Sequence, residues 1–187
     1  MKSYSKQLLL SLFLIFIGFL GYSQNALHFN GDGTDEVTIT QTTITSLEGT
    51  GNFTFEAWVK PETFANFPTI FMANNSFNFS INTSGNPYLF VSGSGLYTSS
   101  GVLSTNTWAH VAVTSDGTNV VFYIDGVAAG STAATFTLAA GGASYGIGQN
   151  IDGDANPFIG TIDELRVWTV ARSATEIQDN YKTEIAT

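Results

Sequence analysis

Hard oxygen donors dominate the side chains that could do chemistry here. The chain of 187 residues has 15 Asp and Glu, two His and no Cys. Thiolate nucleophiles, Cys-ligated zinc and disulfides are thereby excluded. Retaining glycoside hydrolysis needs two carboxylates ~5–5.5 Å apart, which on one strand means an i, i+2 pair on one face. Asp163 and Glu164 are adjacent and point to opposite faces. Asp152 and Asp154 have the spacing but lie in Asp-Gly-Asp-Ala-Asn-Pro, a loop sequence. Asp152-x-Asp154-x-Asn156 also matches the opening of an EF-hand loop, yet Pro157 stands where that loop needs Gly, so it reads as a polar turn. Gly93-Ser94-Gly95 has Ser and Leu as flanks and no helix after it, unlike a serine-hydrolase elbow. His28 and His110 are far apart in sequence, a weak basis for a His-bound zinc. The expectation is a protein that is not an enzyme.

Aromatic residues offer a different chemistry. Planar rings stack on sugar rings while neighbouring polar groups fix the hydroxyls. Trp108, His110 and Tyr123 share the non-core face of one predicted hairpin, and Tyr97 stands in a Gly/Ser-rich stretch near a predicted rim. These four are the candidate ligand-binding residues. Trp58 lies on the non-core side of its own strand, and Phe67 and Tyr88 are within reach of the rim. The competing expectation is that such aromatics pack beneath a helix and loops.

The elements that must position them are strands. Thr107–Gly126 reads as two strands joined by a tight turn at Asp116-Gly117. Ala109, Val111 and Val113 alternate on one face, as do Val120, Phe122 and Ile124. With Gly117-Thr118 at the turn centre Val113 faces Phe122; with Asp116-Gly117 it faces Val120. Either register puts these residues on one core face, because a shift of two preserves the face. Phe53–Lys60 turns Phe53, Phe55, Ala57 and Val59 one way, with Glu56 and Trp58 opposite. Further strands are expected at Ala26–Asn30, Glu36–Thr40, Thr69–Ala73, Phe77–Ile81, Tyr88–Val91, Thr132–Leu138, Tyr145–Gly148 and Gly160–Trp168, with a weak one near Leu96-Tyr97. The one convincing helix is last. Ser173-Ala174-Thr175-Glu176 is a capping box. Ile177 and Tyr181, four apart, should pack on a sheet. Strands at this spacing with turn chemistry between them predict an all-β sandwich or barrel.

Residues 1–23 are expected to be a signal peptide. Lys2 and Lys6 precede the apolar run Leu8–Leu20, and Gly21-Tyr22-Ser23 supplies small residues before a cleavage point at Gln24. No Cys follows the run, which argues against a lipoprotein. The mature chain, 24–187, then carries four basic against 15 acidic residues, a balance of −11. That argues against nucleic acid and anionic membrane surfaces as partners. A secreted, extracellular location is the expectation, with no membrane insertion after cleavage.

Four stretches in order, ALHFNGDGTDEV, FTFEAWVKP, WAHVAVTSDGTNVVFYIDG and FIGTIDELRVWTVARSATEIQDNY, resemble the laminin-G-like (concanavalin A-like) jelly roll common in secreted bacterial proteins. The resemblance spans about Ala26–Lys182. It implies two curved antiparallel sheets of about six strands each and a non-catalytic module that binds carbohydrate or a surface protein. It also implies a structural calcium, bound by Asp163 together with backbone carbonyls near Asn30-Gly31 and Gly51; the alternative is that Asp163 makes a local hydrogen bond or salt bridge. Asn30 stands where the family often has Asp, though an amide or backbone oxygen also ligates calcium. The reading reached is a secreted recognition module for polysaccharide or an extracellular protein, with a structural calcium. The alternative is a structural or adhesive protein–protein domain without a glycan site.

Overall fold

Alternation decides which way each strand turns its side chains, and here it builds two layers. The computed structural model describes residues 26–40, 45–140, 144–151 and 155–183. The expected signal peptide and Asp152 and Asp154 lie outside these residues. Sheet 1 has the order β1 (Leu27–Asn30), β12 (Ile159–Trp168), β3 (Asn52–Pro61), β8 (Ala109–Asp116), β9 (Asn119–Ile124), β10 (Val127–Ala133). Sheet 2 has the order β2 (Val37–Thr40), β11 (Ser144–Ile147), β4 (Thr69–Ala73), β5 (Phe77–Ile81), β6 (Pro87–Val91), β7 (Gly95–Thr98). Every pairing between these strands is antiparallel. Each sheet thus holds a late strand between two early ones: β12 between β1 and β3, and β11 between β2 and β4.

The inner faces meet in one apolar core. Phe53 and Phe55 stack at 4.5 Å, and Phe55 reaches across to Phe71 and Phe77 of sheet 2 at 5.3 and 4.7 Å. Val111, Val113, Val120 and Phe122 join them, as the hairpin alternation predicts. The register is the one that pairs Val113 with Phe122, with Gly117-Thr118 at the turn. Asp116 explains that choice. Its Oδ1 accepts from the Thr118 N–H at 2.8 Å, the Thr118 hydroxyl at 2.8 Å and the Asn119 N–H at 2.7 Å. These bonds hold its carboxyl down to about 2. The next turn, Asp125-Gly126, takes positive φ at both residues, 49° and 76°, the backbone of a tight hairpin turn.

Most strands fall within a residue or two of their expected ends, and one does not. β10 is Val127–Ala133, whereas the sequence placed a strand at Thr132–Leu138. β10 is an edge strand of small residues with a bulge between Ala128 and Ser131, and no residue of it is buried. With neither face buried, it carries no alternation to read. α1 spans Ala174–Asn180, with both capping-box bonds formed at Ser173 and Glu176.

Candidate functional site

The centre of the outer face of sheet 1 is covered. α1 lies on it, with Ile177 fully buried against Ala112 and Tyr123. Tyr123 is 5% exposed and His110 2%. Tyr181, at the end of α1, sits over the His110 ring at 5.5 Å and stacks on Trp58 at 6.0 Å. The Trp58 indole N–H donates to the Tyr181 carbonyl at 2.9 Å. Beneath this cover lies a buried carboxylate, Glu56, with no exposed surface. The Arg172 guanidinium and the Trp168 indole N–H both donate to Glu56 Oε1, at 2.9 and 2.8 Å, and His110 Nε2 stands 3.4 Å from Oε2. Burial pushes the Glu56 carboxyl up, but the nearby His110 ring, the Trp168 N–H bond and the Arg172 charge outweigh it and hold it below its ordinary range. Thr54 completes the seam: its hydroxyl donates to the Val170 carbonyl and accepts from the Arg172 N–H, each at 2.9 Å.

This corrects the sequence-based ligand set. His110 and Tyr123 are packing residues under α1, out of reach of a ligand from solution. Trp108 is half-buried just before β8. Tyr97 shares the inward face of β7 with Gly95; its ring stacks on Phe136 at 5.5 Å and packs against the core, and its hydroxyl meets Ser94 Oγ at 2.7 Å. The four therefore form no common surface. The helix that covers two of them is legible in the sequence; the place where its apolar face lands is not.

Nor does the structure bring together the three calcium positions. Asn30 pairs with Ile159, four residues before Asp163 on β12, or ~13 Å along the strand. Gly51 adjoins Asn52, six residues along β3 from Trp58, the partner of Asp163, or ~20 Å. Asn30 and Gly51 thus lie at opposite ends of sheet 1, and the set does not fit one ion. Asp163 acts locally instead. Its Oδ1 accepts from the Glu164 N–H at 2.8 Å, inside the bulge where Glu164 takes φ 50°. Glu164 pairs with Arg166 at 2.7 Å.

The outer face of sheet 2 is different. Registers place Met72, Asn78, Phe90 and Leu96 in one row across β4, β5, β6 and β7. A second row runs Thr69, Ser80, Tyr88, Thr98. Towards β4 the floor is polar and buried. The Asn78 amide donates to Thr69 Oγ1 at 3.4 Å, and the Ser80 hydroxyl donates to Asn78 Oδ1. Towards β7 the floor opens: Phe90 is 45% and Leu96 60% exposed. Phe67, 44% exposed, stands edge-on to the Tyr88 ring at 6.0 Å. Burial pushes the Tyr88 hydroxyl up, with a bond to Ser80 pulling the other way, so the phenol stays neutral near pH 7. The result is an exposed apolar and aromatic strip, with Tyr88, Asn78, Ser80 and Thr69 buried beside it. Asn78 and Ser80 are readable as the polar half of the FNFSI alternation, but Phe90 and Leu96 look like core residues until register turns them outward.

The family described as the concanavalin A-like lectin/glucanases superfamily matches residues 30–178. Among curated protein sequences none matches the chain. Among solved structures the chain is similar to domain 4 of the extracellular arabinanase AbnA of Geobacillus stearothermophilus, solved with arabinotriose. That likeness has 26% identity and a TM-score of 0.65, over 82% of this chain and 75% of that one. The sialidase carbohydrate-binding module CBM40 of Ruminococcus gnavus, bound to α2,3-sialyllactose, shares the fold at 11% identity and a TM-score of 0.67, over 82% of this chain and 95% of that one. A candidate carbohydrate-binding protein of Bacteroides ovatus matches at 22% identity and a TM-score of 0.68, over 83% of this chain. This chain spans less than half, 46%, of that protein's length.

Proposed function

Because the chain belongs to the concanavalin A-like lectin/glucanase superfamily, we propose that it is a secreted, non-catalytic module that binds carbohydrate on the outer face of sheet 2. One observation carries the reading. Register assembles an exposed aromatic and apolar strip of Phe90 and Leu96, with exposed Phe67 on the same side, edge-on to the buried Tyr88 ring. The apolar C–H faces of a sugar lie on such a strip, and its hydroxyls bond to edge-strand backbone groups, directly or through water. β7 supplies that backbone, being the last strand of its sheet. The arabinotriose and sialyllactose bound by the similar modules support carbohydrate as the ligand class. The expected signal peptide supports secretion. The reading uses no calcium, because Asn30 and Gly51 lie at opposite ends of sheet 1 and do not join Asp163 around one ion.

Affinity electrophoresis against a polysaccharide panel tests it. The expected result is retardation by at least one polysaccharide, reduced in Phe67→Ala and Phe90→Ala with the fold intact by circular dichroism. Free migration through every polysaccharide, with capture of a surface protein by the same face, would overturn it in favour of an adhesive protein–protein domain.

A further inference from the structure

We infer that, if sheet 2 carries the carbohydrate site, that site takes uncharged glycans and rejects sialylated or uronic acid ones. The inference rests on the function proposed above and on how charge is divided between the two faces. Each outward side chain on β4 to β7 is uncharged, from Met72 and Asn78 through Tyr88 and Phe90 to Leu96 and Thr98. At the margin of β2 stands Glu36, which repels an anion.

The described basic side chains all lie on the other side of the molecule. Lys60 and Arg166 are on β3 and β12 of sheet 1, Arg172 is in the segment leading to α1, and Lys182 follows the helix. Three of them are also engaged there. Arg172 is bound to Glu56, Arg166 to Glu164, and the Lys182 ammonium lies over the Tyr181 ring at 5.2 Å. Both histidines belong to sheet 1 as well, His28 on β1 beside Glu62 at 3.2 Å and His110 on β8. The opposite face is thus a full layer of core away from the described cations, and sheets pack ~10 Å apart, beyond a screening length of ~8 Å at physiological salt.

A sugar carboxylate docked on sheet 2 would lose water without gaining a charged partner, a costly exchange. Recognition of carboxylates ordinarily relies on a guanidinium fork or an ammonium. The net charge of −9 adds a field that opposes anions at every approach. A neutral glycan meets none of these penalties.

The test is titration calorimetry with neutral oligosaccharides (arabino-, xylo-, cello- and malto-oligosaccharides) and with sialyllactose and oligogalacturonate, at low and physiological salt. The expected result is binding of a neutral oligosaccharide with an affinity that salt changes less than about twofold, weakened about fivefold or more in Phe90→Ala, and no binding of the two anionic sugars. Binding of sialyllactose or oligogalacturonate that Phe90→Ala weakens would overturn the inference while leaving the carbohydrate reading standing. Absence of binding by every sugar would overturn the carbohydrate reading itself, and the inference with it.

Discussion

Arg172→Ala is the substitution whose outcome most directly tests the covered face of sheet 1. Arg172 bonds Glu56 Oε1 at 2.9 Å, with the Glu56 side chain 0% exposed and that of Arg172 9%. Removing the cation leaves a buried carboxylate with the Trp168 N–H and His110 as its remaining partners. Breaking one half of a buried pair costs about 3–5 kcal/mol. The exposed guanidinium-to-Glu176 carbonyl bond adds little. At ~2–4 °C per kcal/mol for a domain of this size, the melting temperature should fall by about 6–20 °C. The loss must also depend on pH with a definite sign. In the native chain the Glu56 carboxyl sits below its ordinary 4.5, so its contribution is complete above that value and is lost as pH falls through the folded value. Without Arg172, burial is less opposed and the carboxyl protonates more readily. The stability gap between native chain and variant should therefore narrow as pH drops from about 7 to about 4. Urea unfolding followed by tryptophan fluorescence measures it, with Trp58 and Trp168 both in the seam. A loss under about 1 kcal/mol, or a gap that stays constant with pH, would refute the claim that Glu56 is a buried charge held by Arg172.

Three further outcomes are expected. Ser173→Ala removes the hydroxyl that accepts from the Glu176 N–H at the head of α1 and should cost about 1 kcal/mol in urea unfolding, with the indole emission of Trp58 shifting first if α1 frays. The Asp116 carboxyl should titrate near 2 by carbon-13 NMR, as its folded value is held down to about 2; stability owed to it is present above its ordinary 3.8 and disappears as pH falls through 2. Asp163→Ala deletes the acceptor of the Glu164 N–H and should cost about 1 kcal/mol, by the same amount with calcium present or chelated; a calcium-dependent difference would return Asp163 to metal binding.

What the sequence made legible follows from which patterns are local. β3 and the β8–β9 hairpin pack an alternating apolar face into the core, so Phe53, Phe55, Val111, Val113 and Phe122 announce themselves by alternation. The capping box at Ser173 is a four-residue signal and needs no tertiary partner to read. β10 fails this test because Val127–Ala133 buries neither face. The candidate site fails it for another reason. Tyr97 and Leu96 are neighbours in sequence and point to opposite sides of β7, and only the pairing with Leu89 and Phe90 of β6 says which is which. Likewise His110 and Tyr123 sit on the non-core side of their strands, as alternation requires, but non-core is not the same as exposed once α1 has landed. The resemblance to the jelly-roll family supplied the two-sheet architecture. The calcium positions carried over with it are ones the sheet register separates.

The late strands carry a consequence for the timing of folding. β12 separates β1 from β3, and β11 separates β2 from β4, so neither sheet can close until those late segments have left the ribosome. A partly made chain presents two vacant slots flanked by unpaired edges, the condition that invites mispairing. The contacts that end this state join residues far apart in the sequence, which makes folding slow.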